Sequence, residues 1–266
     1  MYRFTETDKS FFEKNRYIII DGFLDDCVAQ QCQHDILTAN SNMWDRYDNC
    51  FEQKSTYRDK NNFPKNIKNL YDYLTKSLFI NELNNLTGLN LINETDKLLW
   101  GIHMFNNNDK LDIHVDAGRH VKTGLIKAIT FGLYLSHNWT ETNGGHLEFW
   151  DGDSAHIEFP KIYNCKSKVL PVFNRCVIFE NNNNSWHGSP EPCICKNDEK
   201  RIFLTLSYFI NDTDHSDAFL NLRKKAYFVK RPDDPNDEEK DKMRALRANP
   251  ETCKFVYNTK KNNIII

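Results

Sequence analysis

Apolar and polar positions alternate with different periods along the chain, and the change of period divides it. Residues Tyr17–Ile20 form a short β-branched run that stops at Asp21-Gly22, and Leu24, Val28, Cys32 and Ile36 then recur at helical spacing. The pattern predicts a strand, a turn and a helix. From Ser41 to Lys65 aromatic residues recur without a period (Trp44, Tyr47, Phe51, Tyr57, Phe63), which reads as a long loop; loops of that length in a compact domain tend to be functional. Ile67, Leu70, Tyr71, Leu74, Leu78 and Leu83 step by three and four, predicting one helix from Ile67 to Leu86.

After that helix the period falls towards two. Short runs follow one another, "KLLWGIHMF", "LDIHVD", "IKAITFGLYLS", "GHLEFWD", "AHIEFP", "KVLPVF", "RCVIFE" and "RIFLTLSYFI", separated by Gly, Asn, Asp and Pro. About eight such strands make a sandwich or barrel, so the expected architecture has helices in front and a β-core behind. The charged, Pro-bracketed "RPDDPNDEEKDKMRALRANP" predicts a short surface helix capped near Asn236, with Met243 and Leu246 as its apolar pair and its charges on a solvated face. We read residues 1–97 as a supporting N-terminal region, 98–216 as the core and 217–266 as an extension of one integrated domain.

Composition narrows the function classes. Lysine plus arginine (35) nearly balance aspartate plus glutamate (37), so overall charge points neither to nucleic acid nor to an acidic membrane. The N-terminus lacks a basic then apolar signal pattern and no run is long enough to span a bilayer, which makes a cytoplasmic protein the expectation. The eight cysteines lack CxxC spacing and read as free thiols; Cys193 and Cys195 are the closest pair, and metal binding is not expected of them.

The candidate chemistry lies in "LDIHVDAGRH", residues 111–120. In a strand, residues two apart share a face, so His114 and Asp116 point together. An isolated HxD arises by chance, and a lone strand histidine is commonly a core or surface residue. A third donor is available in "NNNNSWHGSPEP", where His187 ends another strand. Two imidazoles and one carboxylate suit non-haem Fe(II) and leave coordination positions open.

These stretches, with "FGLYLSHNWTETNGGHLEFW" (131–150), "PVFNRCVIFENNNNSWHGSPEP" (171–192) and "RIFLTLSYF" (201–209), occur in an order that resembles the Fe(II)- and 2-oxoglutarate-dependent dioxygenases, nearest to the prolyl-4-hydroxylase-like branch. The opening "YIIIDGFLDD" is similar too. The resemblance implies an α+β, mostly β fold: a double-stranded β-helix, or jelly roll, with N-terminal helices packed on the sheet. It makes His114, Asp116 and His187 the iron ligands and catalytic centre. Arg201, fourteen residues after His187, becomes the partner of the distal carboxylate of 2-oxoglutarate. Arg201 shares its strand face with Thr205 and Ser207, whereas Lys200 faces away. The branch commonly uses lysine at this position, and the arginine here bears on substrate class. Thr205, and His103 on the preceding strand, are expected to line the 2-oxoglutarate pocket.

The implied activity is hydroxylation of an unactivated C–H bond with decarboxylation of 2-oxoglutarate to succinate and CO2, with ascorbate as an auxiliary reductant. Asp116 favours hydroxylation over halogenation, since halogenating members replace this carboxylate with a small residue. The expected partners are O2 and a substrate, a peptidyl residue of prolyl type, with a free small metabolite as the alternative and residues 41–65 as its lid. A non-catalytic jelly-roll binding module is the reading from another class, and a zinc hydrolase would leave Arg201 without a role. His146 is expected on the surface, and His34, His120, His137, His156 and His215 receive no role. Gly144-Gly145 is read as a turn.

Overall fold

The computed structural model describes residues 2–92, 100–120, 122–196, 199–211, 217–249 and 251–253. Helix α1 (Glu6–Asn15), which the sequence pattern did not reveal, starts at a capping box between Thr5 and Asp8 and buries only Phe12. Strand β1 (Tyr17–Ile20) and helix α2 (Asp26–Leu37) follow as expected. Cys32 and Ile36 are buried on α2, while Val28 is left 37% exposed and Ala29 takes its place in the core.

Two expectations fail in the next segment. Residues 41–65 contain a hairpin, β2 (Asp45–Asp48) and β3 (Gln53–Tyr57), which extends the edge of a sheet. Most of their residues are polar, and among them only Thr56 and Tyr57 are buried, so no apolar alternation marked them. The single helix expected at 67–86 is two, α3 (Lys65–Leu74) and α4 (Ser77–Thr87). The Thr75 hydroxyl donates back to the Tyr71 carbonyl at 2.8 Å, and the chain turns at Thr75-Lys76. The buried set then restarts at Phe79, Ile80 and Leu83, and Leu78, which a continuous helix would bury, is 66% exposed.

The β-core comprises β4 (Trp100–Phe105), β5 (Leu111–Val115), β6 (Ile126–Tyr134), β7 (Leu147–Gly152), β8 (Ile162–Val169), β9 (Arg175–Glu180), β10 (Trp186–Ser189), β11 (Arg201–Ile210) and β12 (Tyr227–Phe228). Among the described residues seven strands form one sheet in the order β1-β9-β6-β11-β4-β3-β2, and five form a second, β12-β5-β10-β7-β8; all recorded pairings are antiparallel. The run at 155–160 is not a strand, and its Ile157 and Phe159 are exposed. The strand lies just beyond it, where β8 pairs on one side only and alternates exposed residues with half-buried ones. Of "KVLPVF", only Lys168 and Val169 are in that strand.

One face of the larger sheet packs against the helices: Phe131, Leu133, Ile178, Leu204 and Leu206 join Phe12, Ile36, Ile67, Leu74, Phe79 and Leu83 in one apolar core. The opposite face turns towards the smaller sheet, with Tyr134, Phe149, Val177 and Phe179 closing part of the space between them. The chain is thus mostly β, a jelly-roll core with helices packed on one sheet.

Helix α5 (Glu238–Ala248) is capped by Asp237, whose carboxylate accepts from the Lys240 backbone, one residue beyond the expected Asn236. It docks through cations. Arg247 is buried over the rings of Phe51 and Phe228, and Lys240 Nζ lies 2.6 Å from the buried Asp112. The charge run therefore has one docked face, and Leu246 is 39% exposed. Residues 97 and 98, 197 and 198, and His215 and 216 lie outside the described residues, so the boundaries placed at 97/98 and 216/217 and the start of the run "KLLWGIHMF" have no counterpart to compare.

Candidate metal centre and cavity

His114 on β5 and His187 on β10 are direct partners across the ladder of the smaller sheet, with ring centroids 4.6 Å apart. Each imidazole is fixed by its own strand. His114 Nδ1 lies 2.9 Å from the Asp112 carbonyl, and His187 Nδ1 lies 2.8 Å from that of Ser185. A carbonyl only accepts, so both Nδ1 atoms carry a proton, and both Nε2 atoms are left facing Asp116. Asp116 follows β5, its Oδ1 3.5 Å from His114 Nε2 and its Oδ2 3.9 Å from His187 Nε2.

The ligand atoms of His114, Asp116 and His187 lie within 4.8 Å of one another, the only such cluster of three or more among the described residues. Two imidazole nitrogens and one carboxylate, each held by a further contact, fit a divalent metal with room for other ligands. Cys193 and Cys195 belong to no such cluster among the described residues; Cys193 is buried against Phe105 and Trp139.

Charge keeps the set ready for a cation. Burial would push the Asp116 carboxyl up, but the Lys127 ammonium, 2.6 Å from Oδ2, leads the contacts that hold it well below the usual carboxylate range. Burial first, and His114 second, press His187 down to about 4, so it is a neutral ligand at neutral pH. Lys127 owes its place to an irregularity. The β6–β11 register shifts between Tyr208 and Phe209, so Ala128 and Ile129 both join the helix-side core while Lys127 and Thr130 both line the cavity.

The three residues sit in a cavity of about 370 Å³ between the sheets. Arg201, Phe203, Thr205, Ser207 and Phe209 all line it, which is the strand phase read from the sequence; Lys200 does not. Arg201 is 2% exposed and flanked by Phe105 and Tyr134, with its guanidinium carbon 4.6 and 5.0 Å from their ring centroids. Its Nε donates to the Gly145 carbonyl at 2.7 Å, and its Nη2 to Ser189 Oγ at 2.8 Å and to the Tyr134 hydroxyl at 3.3 Å. Nη1 is left without a partner among the described residues. Gly145 contributes by lacking a side chain: a Cβ there would lie 2.6 Å from Cys193 Sγ and 3.1 Å from Arg201 Cδ.

His103 and Thr205 line the same cavity, joined by a 3.1 Å contact between Nε2 and Oγ1. Burial, and then Lys54, Arg58 and Arg201, hold His103 well below the usual imidazole range, so it is neutral. His146 lies away from the centre, 2.8 Å from Glu141. His120, given no role from sequence, lines the cavity; His137 stacks edge-on against Phe173, and His156 pairs with Ser154. Sequence reasoning missed Ser189, Tyr134, Lys127 and Lys54. Ser189 was within reach, because it stands two residues after His187 on one strand; Lys127 was not, because a bulge sets its phase.

A jelly roll carrying this set is the arrangement of a metal-binding site opening on a cavity. Residues 100–209 match the model of the 2OG-Fe(II) oxygenase superfamily, a segment that contains all three candidate ligands and Arg201. The match spans less than half of the chain, which is similar to that superfamily over this segment, and the site fits Fe(II) and 2-oxoglutarate as cofactors. Among curated proteins none matches the chain by sequence.

Solved structures share the fold at low identity. A prolyl-4-hydroxylase from Pseudomonas putida aligns with TM-score 0.57 and 12% identity, covering 77% of this chain and 97% of that one. A prolyl hydroxylase from Trichoplax adhaerens, in complex with a hypoxia inducible factor oxygen degradation domain peptide fragment, gives 0.55 and 15%, covering 77% and 91%. HygX from Streptomyces hygroscopicus, with nickel, 2-oxoglutarate and hygromycin B bound, gives 0.53 and 12%, covering 77% and 87%. No helix among the described residues is long and apolar enough to cross a membrane.

Proposed function

We propose that the protein hydroxylates an unactivated C–H bond of a peptidyl, prolyl-type residue. Fe(II) would be held by Nε2 of His114 and His187 and a carboxylate oxygen of Asp116, and 2-oxoglutarate by Arg201. The observation that carries this is the ladder pair His114–His187, its Nδ1 atoms held by backbone acceptors, in one cavity with the open edge of the Arg201 guanidinium.

Bound iron supplies the activation of O2 that couples loss of CO2 from 2-oxoglutarate, giving succinate, to insertion of one oxygen atom into the substrate. The residues of the chain position and shield. Lys127 takes Asp116 Oδ2 and leaves Oδ1 for the metal. The guanidinium of Arg201, wrapped by Phe105 and Tyr134, meets a carboxylate in a water-poor setting where a charge-assisted hydrogen bond is strong. Thr205 and His103 lie further along the cavity, where they would flank the co-substrate. Phe179 and Leu147 close the wall and keep water from the reacting centre.

A free small metabolite remains the second reading, favoured by a cavity of modest size and by the structure of similar fold with hygromycin B bound. The test supplies Fe(II), ascorbate and 2-oxoglutarate and measures succinate and substrate mass. A proline-containing peptide that gains one oxygen atom, with loss of the gain in His114→Ala, supports the proposal. Stimulation by small-metabolite pools alone would leave the oxygenase and remove the peptide. Iron binding without succinate under any condition would favour a non-catalytic jelly-roll module.

A further inference from the structure

The charges lining the cavity do not balance. Among the described residues, Lys54, Arg58, Arg119, Lys127 and Arg201 line it, against Asp116 as the sole carboxylate. Lys127 is committed to Asp116 at 2.6 Å, and Lys54 to Glu52 at 2.8 Å. Arg201 is assigned above to 2-oxoglutarate. Arg58 has no carboxylate partner among the described residues; its guanidinium carbon lies 5.1 Å from the Tyr47 ring centroid. A half-buried guanidinium without a counter-charge is costly to hold.

The fold sets its path and its neighbours. Arg58 follows β3 directly, on the face shared with Lys54 and Thr56. Its side chain lies across β4 at Gly101: a Cβ there would come within 3.0 Å of Arg58 Cγ and 3.1 Å of the Tyr57 carbonyl. Glycine thus clears the path for Arg58. Thr56 and His103 face one another in the β3–β4 register, and Thr56 Oγ1 and His103 Nδ1 are both buried without a hydrogen-bond partner. His103 Nε2 lies 3.1 Å from the Thr205 hydroxyl, which itself donates to the Gly101 carbonyl beneath Arg58 at 3.4 Å. Arg58 is thus a cation without a carboxylate beside two buried polar groups that lack a partner, and buried polar groups left in that state call for an explanation.

We propose that Arg58, laid over Gly101, anchors a carboxylate of the substrate, so that favoured substrates are peptides with aspartate or glutamate beside the residue that is oxidised. This rests on the peptide hydroxylase reading. Arg58 crosses β4 at Gly101, whereas Arg201 pairs with Phe105 on the same strand, four residues and roughly 13 Å away along it, so the two guanidiniums serve separate anions. A neutral substrate would leave Arg58 uncompensated, and a basic one would be repelled.

The test is calorimetric titration of the anaerobic Fe(II)- and 2-oxoglutarate-loaded protein with proline-centred peptides carrying Asp, Asn or Lys beside the proline. The Asp peptide should bind about tenfold more tightly than its Asn isostere, the scale of one charge-assisted hydrogen bond. Arg58→Gln should erase that preference and Arg58→Lys should restore part of it, with 2-oxoglutarate affinity retained in both. Gly101→Val, which alters no charge, should weaken the preference by displacing Arg58. An Asp preference that is absent, or that survives Arg58→Gln, overturns the proposal, as does loss of 2-oxoglutarate affinity in Arg58→Gln, which would place Arg58 in the co-substrate site. Arg58-dependent binding of N-acetylaspartate without any peptide would keep the anion site and make its source a small acid. Succinate release is followed in parallel: Arg58-dependent binding without succinate would remove the oxygenase reading alone, and oxidation indifferent to peptide charge would remove the anion site alone.

Discussion

Lys127 Nζ lies 2.6 Å from Oδ2 of Asp116, and the two side chains are 14% and 25% exposed. The pair stabilises the carboxylate before any metal arrives, and it also occupies one of the two carboxylate oxygens. Lys127→Met should therefore destabilise the metal-free protein by about 2 kcal/mol, below the range for fully buried pairs because both groups retain some solvent contact. Saturating Fe(II) should shrink the deficit, because the metal replaces the lost positive charge and binds the native state only. Urea unfolding with and without metal measures both; equal destabilisation in the two states would mean that Lys127 does not act through Asp116.

The pH dependence of the metal-free protein follows from His187. Its folded-state pKa, about 4, lies below the ordinary value of 6.5, so between these values the unfolded chain takes a proton that the folded chain refuses. Stability from this group is complete above about pH 6.5 and is lost as pH falls towards about 4, by on the order of 3 kcal/mol. His103, held down by burial and three cations, acts in the same direction. Denaturation midpoints across pH 4–7 should fall on acidification, and His187→Gln should flatten the slope. A midpoint that rises towards pH 4 would contradict the assignment of His187 as a buried neutral imidazole.

Arg201 and Lys200 are neighbours in sequence and opposite in phase. Arg201→Ala should weaken 2-oxoglutarate binding by about 2–5 kcal/mol while metal binding persists, and Lys200→Ala should change little. Arg201→Lys should rescue poorly, because a single ammonium cannot donate to Gly145, Ser189 and a ligand in the planar spread that the guanidinium provides. Equilibrium dialysis with labelled 2-oxoglutarate decides it. The opposite ranking of the two alanine variants would move the co-substrate to the other face of β11.

Gly132 supports the site from beneath. A Cβ there would lie 2.1 Å from Phe203 Cζ, and Phe203 stacks on Tyr134 at a centroid distance of 4.4 Å. Gly132→Ala should cost about 1–3 kcal/mol of stability by overpacking, and should also lower 2-oxoglutarate affinity, because Tyr134 flanks Arg201 and accepts from its Nη2. Thermal unfolding and the dialysis experiment together check this. Lost stability with unchanged affinity would show that Phe203 yields without disturbing Tyr134.

What the sequence alone determined about this protein is what local periodicity encodes. His114 and Asp116 share a face because a strand has a period of two, and the same rule put Arg201, Thr205 and Ser207 together. The strand-like runs pointed to a sandwich or barrel, and their resemblance to a known family narrowed that to a jelly roll. The tertiary structure decided the rest, where a neighbour overrides the local pattern. The polar hairpin β2–β3 exists because it pairs with the edge of β4, and so brings Lys54 and Arg58 to the cavity. The helix pattern from Ile67 breaks at Thr75, because a turn there lets Phe79 and Leu83 reach the core that Leu78 would have faced. The charges of α5 dock because Asp112, Phe51 and Phe228 from distant segments receive them. Lys127 meets Asp116 through a one-residue register shift. A period-two reading gives Lys127 the opposite face from Thr130, and pairing against β11 reverses that assignment at a bulge that no residue in β6 announces.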